Sequence, residues 1–252
     1  LTQALIDLDM RGRTIMALSG NSLELAVVTL AAMQARMPIA PITPAYSLAS
    51  QDHAKLMEMV RVLKPGLIFV QSGERFERAV LALRSIAGFD ARVLAVSDPT
   101  PETDYLLDDF LRTPVRASME REVEAITPET HAKYLFTSGS TGSPKAVITT
   151  QQMMCAAIPM FTQLVNDQGR QRQLVLDWLP WSHVMGGSAQ FNLVIAAGGS
   201  LYIDDGRPTP TEFKETIRNL REISPTAFSN VPIGYAMLAD ALEADPDLAT
   251  NF

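Results

Sequence analysis

A run of small and hydroxylated residues, set between two apolar β-prone stretches, is the part of this sequence best suited to chemistry. It reads Thr137-Ser138-Gly139-Ser140-Thr141-Gly142-Ser143-Pro144-Lys145. A loop of this composition has little to bury, but it offers open backbone N–H groups, several hydroxyls and one cation, which are groups that hold a polyphosphate. A flexible linker is the alternative, and it is disfavoured because linkers rarely lie between two β-prone apolar runs.

The spacing of this run differs from that of the P-loop. A P-loop has four residues between its glycines and a lysine directly after the second glycine. Here two residues separate Gly139 from Gly142, and Lys145 follows three positions after Gly142. A β-branched run at 147–150 comes next, so the sequence predicts a hairpin loop whose amide groups bind phosphate, without a long helix aimed at the ligand.

The second candidate for chemistry is His183, one of three histidines in the chain. It follows a Trp-Ser pair and precedes a pair of glycines, outside any periodic apolar pattern. His53 lies beside the apolar face of a predicted helix, so we expect a structural role for it. His131 precedes a predicted strand, and we expect its ring to be solvated. Neither His53 nor His131 has the spacing of a metal ligand relative to other side chains.

Strand-like and helical segments alternate along the whole chain and would position these residues. This alternation predicts an α/β fold, a layered α/β/α sandwich with largely parallel sheets. The alternation is weaker in the stretch 99–128, which we interpret as a connector with one short helix near 117–123. We therefore divide the chain into a first α/β subregion at about 1–128 and a second at 129–252, which starts at the hairpin.

Composition argues against several classes of protein. The net charge is −7 and no basic stripe is present, which argues against a nucleic-acid partner. No apolar run reaches the ~18 residues that a membrane span needs, and no signal peptide opens the chain. The single cysteine, Cys155, excludes an internal disulfide and predicts a cytoplasmic protein. Its place on a predicted helix among methionines and alanines favours a buried, inert thiol. A homodimer is neither indicated nor excluded.

The run 137–145 resembles the phosphate loop of the adenylate-forming superfamily, which includes acyl-CoA synthetases, luciferases and the adenylation domains of peptide synthetases. The stretches 179–187 and 198–206 are most similar to those of feruloyl-CoA synthases. Ala146 stands where most of the superfamily has glycine, and it fits that branch. The resemblance covers nearly all 252 residues. It implies an incomplete N-terminal AMP-binding domain at 1–252, without the adenine-binding motif and the C-terminal domain.

The resemblance implies an ATP-dependent acyl-CoA synthetase, which is an acid–thiol ligase. In the family, the loop grips the β- and γ-phosphates of ATP with Mg²⁺ while a carboxylate attacks the α-phosphorus, and CoA then displaces AMP. Lys145 and His183 would be the catalytic residues: Lys145 contacts phosphate, and His183 lies between the acid and the α-phosphate. The other residues implied to hold the ATP phosphates are Thr137, Ser138, Gly139, Ser140, Thr141 and Gly142, with Thr141 also beside the Mg²⁺ of ATP.

The resemblance also implies an acyl pocket, which His183 would share with Trp181, Met185, Gly186, Gly187, Asn230 and Pro232. The consecutive glycines would leave volume for a flat aromatic acid, and Met185 would pack on its ring; entry into a helix is the structural alternative for the glycines. Amino-acid-activating relatives have an aspartate where Val184 stands, so a free amino acid is not expected.

We favour a ferulate-type acid, with ATP, CoA and the acid as small-molecule partners. Two alternatives stay open: an adenylate-forming enzyme for a fatty or benzoic acid, and a non-catalytic nucleotide-binding module. These 252 residues alone are expected to have no turnover.

Overall fold

The computed structural model describes residues 1–138, 144–164 and 173–251. The chain forms two compact units, Leu1–Met154 and Cys155–Phe252. Each unit has a sheet of its own with helices packed on it. The α/β fold predicted from the alternation of strands and helices is therefore confirmed.

The first unit is built on a seven-stranded sheet with the strand order β5-β4-β3-β1-β2-β6-β7. Its strands are β1 (Ile15–Leu18), β2 (Ile39–Ile42), β3 (Leu67–Ser72), β4 (Arg92–Ser97), β5 (Tyr105–Leu106), β6 (His131–Ser138) and β7 (Pro144–Thr150). Its helices are α1 (Thr2–Asp7), α2 (Leu23–Gln34), α3 (Ala45–Leu48), α4 (Ala54–Leu63), α5 (Gly73–Arg84), α6 (Leu107–Leu111) and α7 (Ala117–Glu124), and α8 (Gln151–Leu164) begins in this unit. Neighbouring strands are parallel except for the antiparallel pair β6–β7.

The central strands of this sheet are buried on both faces. All four residues of β1 and of β2 are buried, and such continuous apolar runs are typical of parallel strands that helices cover on both sides. The chain passes from β1 to β2 in one direction and then to β3 on the other side of β1. Because crossover connections are right-handed, α2 and α4 cover opposite faces of the sheet.

One face of the sheet packs against α4 and α5. Strand residues such as Met16 and Ile68 contact Leu56 of α4 and Phe76 of α5 in a single buried cluster. Tyr134 and Phe136 of β6 also pack against this cluster. The strand that leads into the phosphate loop is therefore held by the core of the first unit.

The second unit contains a three-stranded parallel sheet with the order β10-β8-β9. Its strands are β8 (Leu174–Asp177), β9 (Ser200–Ile203) and β10 (Ala227–Phe228). A π-helix (Met185–Gln190) runs into α9 (Phe191–Ala196), and α10 (Phe213–Glu222), α11 (Pro232–Ala244) and α12 (Pro246–Asn251) follow. Leu176 of β8 packs with Phe213 and Leu220 of α10 and with Leu238 of α11.

Two details differ from the sequence-based expectations. The connector 99–128 contains β5 and α6 besides the predicted short helix. The chain divides after Met154, whereas we expected a second subregion to start at 129. The reason is that β6 pairs with β2, so the hairpin completes the first sheet. None of the helices in the described residues is long and apolar enough to cross a membrane.

Candidate functional site

The predicted phosphate-loop hairpin is present. Strands β6 and β7 pair antiparallel, with Thr137 opposite Lys145 and Ser138 opposite Pro144 as the last pair before the loop. Residues directly opposite each other in an antiparallel pair present their side chains on the same face, so Thr137 and Lys145 are neighbours. Both residues are exposed. The predicted phosphate-binding residues Gly139, Ser140, Thr141 and Gly142 lie outside the described residues.

The position of the hairpin follows from the pairing of β6. Its neighbour β2 is parallel to it, with Ile39 opposite Lys133. Strand β6 therefore ends, at Ser138, at the carboxyl edge of the parallel strands. This is the edge at which open α/β sheets bind their ligands. The first unit thus presents the Thr137 hydroxyl and the Lys145 ammonium group together at that edge.

Lys133 is a buried lysine that our reading of the sequence did not single out. Only 2% of its surface is exposed. Burial lowers the pKa of its ammonium group from the usual 10.5 to about 7. In the sequence Lys133 stands between Ala132 and Tyr134 within a predicted strand. Such a pattern does not tell whether the lysine side chain faces the core or the solvent until the neighbours of the strand are known.

The second predicted site stretch lies in the second unit and follows β8. His183 is exposed and sits in a turn, where its backbone N–H donates to the carbonyl of Pro180 at 3.0 Å. Its own carbonyl accepts from the N–H of Gly187 at 2.8 Å. These two bonds tie the histidine to the start of the π-helix and leave its ring at the surface of the unit. Met185, at the first turn of that helix, is 57% exposed.

Trp181 is part of the core of the second unit. It is 5% exposed, and its ring lies 4.7 Å from the ring of Phe191, tilted by 54°. An aromatic pair of this geometry stabilises the contact between the turn at Trp181 and helix α9, which begins at Phe191. In the structure Trp181 therefore supports the turn that carries His183.

Gly186 and Gly187 do not provide the open volume that we expected beside them. A Cβ atom on Gly187 would lie 2.0 Å from the carbonyl oxygen of Trp181, and one on Gly186 would lie 2.4 Å from that of Leu179. The space next to both glycines is filled by backbone. Their role in the structure is the alternative one: they let the π-helix approach the segment before it.

Asn230 and Pro232 follow β10 and differ in what they contact. The side-chain oxygen of Asn230 accepts from the indole N–H of Trp178 at 3.1 Å and from the N–H of Val231 at 2.9 Å. Its amide nitrogen is buried and has no hydrogen-bond partner among the described residues. Pro232 is exposed and begins α11, a position that its missing N–H suits.

The remaining histidines and the cysteine complete the comparison with the sequence. His53 is buried, with its ring Nδ1 3.3 Å from the carbonyl oxygen of Tyr46, as expected for a structural residue. His131 is exposed, and its Nδ1 lies 2.8 Å from the hydroxyl of Tyr134. The expectation for Cys155 was wrong, because its thiol is exposed. The buried face of α8 passes through Met154, and the next residue of a helix points about 100° away.

No group of three or more potential metal-ligating side chains occurs among the residues that the structure describes. The two predicted site stretches bring hydroxyl side chains, one lysine and one histidine, together with Trp181 and Met185. Open parallel α/β sheets bind their ligands at the carboxyl ends of their strands, and the predicted hairpin lies at such an edge of the first sheet.

The chain belongs to the AMP-binding enzyme family, whose model matches residues 2–250. A curated relative, the long-chain-fatty-acid–CoA ligase ACSBG2 of Xenopus laevis, is 25% identical over 131 residues, which cover 51% of this chain and 17% of the relative. This match and the family model agree with the resemblance seen in the sequence for an adenylate-forming, acyl-CoA ligase-like domain.

Two solved structures have the same fold. The ATP-bound structure of MatB from Rhodopseudomonas palustris superposes with a TM-score of 0.69 at 17% identity, over 99% of this chain and 46% of that one. A malonyl-CoA ligase ternary product complex with methylmalonyl-CoA and AMP superposes with a TM-score of 0.67 at 19% identity, over 98% of this chain and 46% of that one. The chain therefore spans less than half the length of either protein.

Proposed function

We propose that this chain is part of an ATP-dependent acid–thiol ligase that activates a carboxylic acid as its adenylate and then transfers the acyl group to CoA. The observation that carries the proposal is the β6–β7 hairpin. It places Thr137 and Lys145 side by side at the mouth of a glycine- and hydroxyl-rich loop. Membership of the AMP-binding family supports ATP as the nucleotide.

In the first half-reaction an oxygen of the acid attacks the α-phosphorus of ATP, the bond to the β-phosphate oxygen breaks, and pyrophosphate leaves. Lys145 and the loop hydroxyls would hold the β- and γ-phosphates and stabilise the charge that develops on the leaving group. Mg²⁺ bound with ATP would supply further positive charge there, and Thr141 is the residue that we assign to it. A lysine suits this role because its ammonium group can follow a moving oxygen.

We assign the orientation of the acid to His183. Its ring is exposed while its backbone is tied by hydrogen bonds on both sides. A side chain that is free to meet a ligand on a fixed backbone is suited to orienting a carboxylate. In the second half-reaction the thiol of CoA attacks the acyl carbon and AMP leaves.

A ferulate-type aromatic acid is our proposed substrate, on the strength of the stretches 179–187 and 198–206. A fatty acid is the second candidate, because the relative ACSBG2 is named as a long-chain-fatty-acid–CoA ligase. Exchange of labelled pyrophosphate into ATP by the full-length protein, measured with ferulate, benzoate and hexanoate, separates these acids. Equal rates with ferulate and hexanoate would contradict the aromatic assignment.

The role of Lys145 is tested by Lys145→Ala in the full-length protein. We expect acid-dependent pyrophosphate exchange to fall by roughly one to three orders of magnitude, the scale of a lost electrostatic contact in the transition state. Lys55→Ala removes another exposed lysine of the same unit and should leave the exchange rate unchanged. ATP binding without exchange in the wild type, with any of the acids, would instead indicate a non-catalytic nucleotide-binding module.

A further inference from the structure

Two buried aspartates end neighbouring strands of the second unit. Asp177 is the last residue of β8, and Asp204 directly follows β9. The backbone N–H of Asp204 donates to the carbonyl of Asp177 at 3.0 Å, which continues the parallel pairing by one residue. The exposed fractions are 2% for Asp177 and 4% for Asp204. Two carboxyl groups are thus buried at one edge of a small sheet.

Asp204 is surrounded by donors. Thr216 of α10 donates its hydroxyl to Oδ2 at 2.6 Å. The side-chain amide of Asn219 and the backbone N–H of Gly206 each donate to Oδ1 at 2.9 Å. A carboxylate that accepts several hydrogen bonds is stabilised in its charged form. Asp204 therefore links the end of β9 to α10.

Asp177 has a different environment. Its Oδ1 accepts a hydrogen bond from the backbone N–H of Leu179 at 3.0 Å. Its Oδ2 is buried and has no hydrogen-bond partner among the described residues. An unpaired oxygen of a buried carboxylate is costly, and protonation removes most of that cost. The two aspartates thus differ in their surroundings: Asp204 accepts several hydrogen bonds, whereas Asp177 has a buried oxygen without a partner.

The electrostatics agree with this geometry. Burial, with a smaller contribution from the nearby charge of Asp204, raises the pKa of Asp177 to about 6. Asp204, directly after β9, is the charged neighbour of Asp177, and Tyr202 is the titratable residue within β9, opposite Leu176. Helix α10 contributes the neutral Thr216 and Asn219 to the pair, and β10 (Ala227–Phe228) has no titratable residue.

The bond from Asp177 to Leu179 fixes the first turn of residues 178–183, which we call the tryptophan segment. The backbone carbonyls of this segment at 179–181 are those on which Gly186 and Gly187 pack. The segment ends at His183. The bond between Asp177 and Leu179 is therefore linked to the histidine through the backbone of the segment and its contacts with Gly186 and Gly187.

We propose that Asp177 is a positioning residue: while its carboxyl group is protonated and neutral, the tryptophan segment keeps the arrangement seen here, and ionisation of that group beside Asp204 loosens the segment. The proton is taken up from solvent and released to it. The effect of this change on adenylation rests on the proposed function, but the structural change itself does not.

The chain contains its own probe for this proposal. Its two tryptophans, Trp178 and Trp181, both lie in the tryptophan segment. We expect their fluorescence to change with pH, with a midpoint near 6, in the wild-type protein. Asp177→Asn keeps an oxygen for the Leu179 N–H and cannot ionise, so the transition should disappear. A transition that persists in this variant would overturn the proposal, as would its absence from the wild type.

Three further variants identify the group that titrates. Asp204→Asn removes the neighbouring charge and should move the midpoint down by about 0.5–1 pH unit. Asp205→Asn makes the same charge change at an exposed neighbour and should leave the midpoint in place. His183→Gln removes the other titratable side chain of the segment, and the transition should remain. If Asp177→Asn does not fold, the Asp204→Asn shift decides the question, and an unmoved midpoint would overturn the proposal.

A catalytic readout separates this proposal from the proposed function. In the full-length wild-type protein we expect the KM for the acid to change between about pH 5 and 7, and Asp177→Asn should remove this change. If Asp177 had only a structural role, the substitution would instead lower activity at every pH. Absence of exchange in every variant, together with the expected fluorescence titration, would refute the enzyme assignment and leave the positioning role intact. An unaltered pH profile in an active variant would refute the positioning role.

Discussion

Asp177→Asn should change the stability of the second unit in a way that depends on pH. The pKa of Asp177 is raised by burial to about 6 from the usual 3.8. This difference corresponds to ~3 kcal/mol. Because the folded unit holds the proton more tightly than the unfolded chain, the stabilisation is present below about pH 4 and is lost as the pH rises through about 6.

Urea unfolding followed by tryptophan fluorescence measures this effect. Since both tryptophans lie between Cys155 and Phe252, the signal reports the unfolding of the second unit. The asparagine is neutral at every pH, so the free energy of unfolding of the variant minus that of the wild type should grow by about 2 kcal/mol from pH 4 to pH 7. Above pH 7 the difference should become constant.

A control and a refuting result follow from the same structure. Asp205→Asn makes the identical change at an exposed side chain, and its difference from the wild type should show little dependence on pH. If the difference for Asp177→Asn is also flat, within about 0.5 kcal/mol, then Asp177 does not titrate as a buried acid and the argument from its unpaired oxygen is wrong.

Three further substitutions test other parts of the structure. Gly187→Ala should destabilise the second unit by about 1–3 kcal/mol in chemical unfolding, because its Cβ would meet the Trp181 carbonyl, whereas Gly20→Ala has open space and should be neutral. Ser22→Ala should cost about 1 kcal/mol, since the hydroxyl accepts from the first turn of α2; an unchanged melting temperature would contradict this. Burial lowers the pKa of Lys133 to about 7, so the free energy of unfolding of the wild type should rise between about pH 7 and 10.5, where the folded protein has lost a proton that the unfolded chain still binds. Lys133→Met should remove this rise; the same rise in the variant would exclude Lys133 as its source.

The parts of the fold that periodicity specifies could be predicted from the sequence. The buried runs of β1, β2 and β3 and the Ser22 cap of α2 are features of the local sequence, and their alternation predicted the α/β fold that the structure has. The hairpin was also predictable, because its loop composition and its flanking β-prone runs are local. A local sequence pattern does not show which strand pairs with which. For this reason the sequence did not predict that β6 belongs to the first sheet, and the structure shows it through the pairing of β6 with β2.

The sequence predicted which residue types occur in the candidate site, but it predicted less well what each residue contacts. Gly186 and Gly187 are small in any context, but only the fold shows that carbonyl groups fill the space beside them. Cys155 stands next to a buried position of α8, and one residue along a helix is enough to change its exposure. Asp177 ends the apolar run 174–176, and it is buried in the structure. An acidic residue directly after an apolar strand is therefore the sequence signal by which this buried acid could have been found.

The buried polar atoms without partners are unevenly distributed between the two units. Among the described residues they are the hydroxyl of Ser47 in the first unit and, in the second, atoms of Asp177, Ser182, Ser188 and Asn230. Each unsatisfied buried group costs about 1–3 kcal/mol, so four of them in and around the tryptophan segment make this the least satisfied part of the described structure.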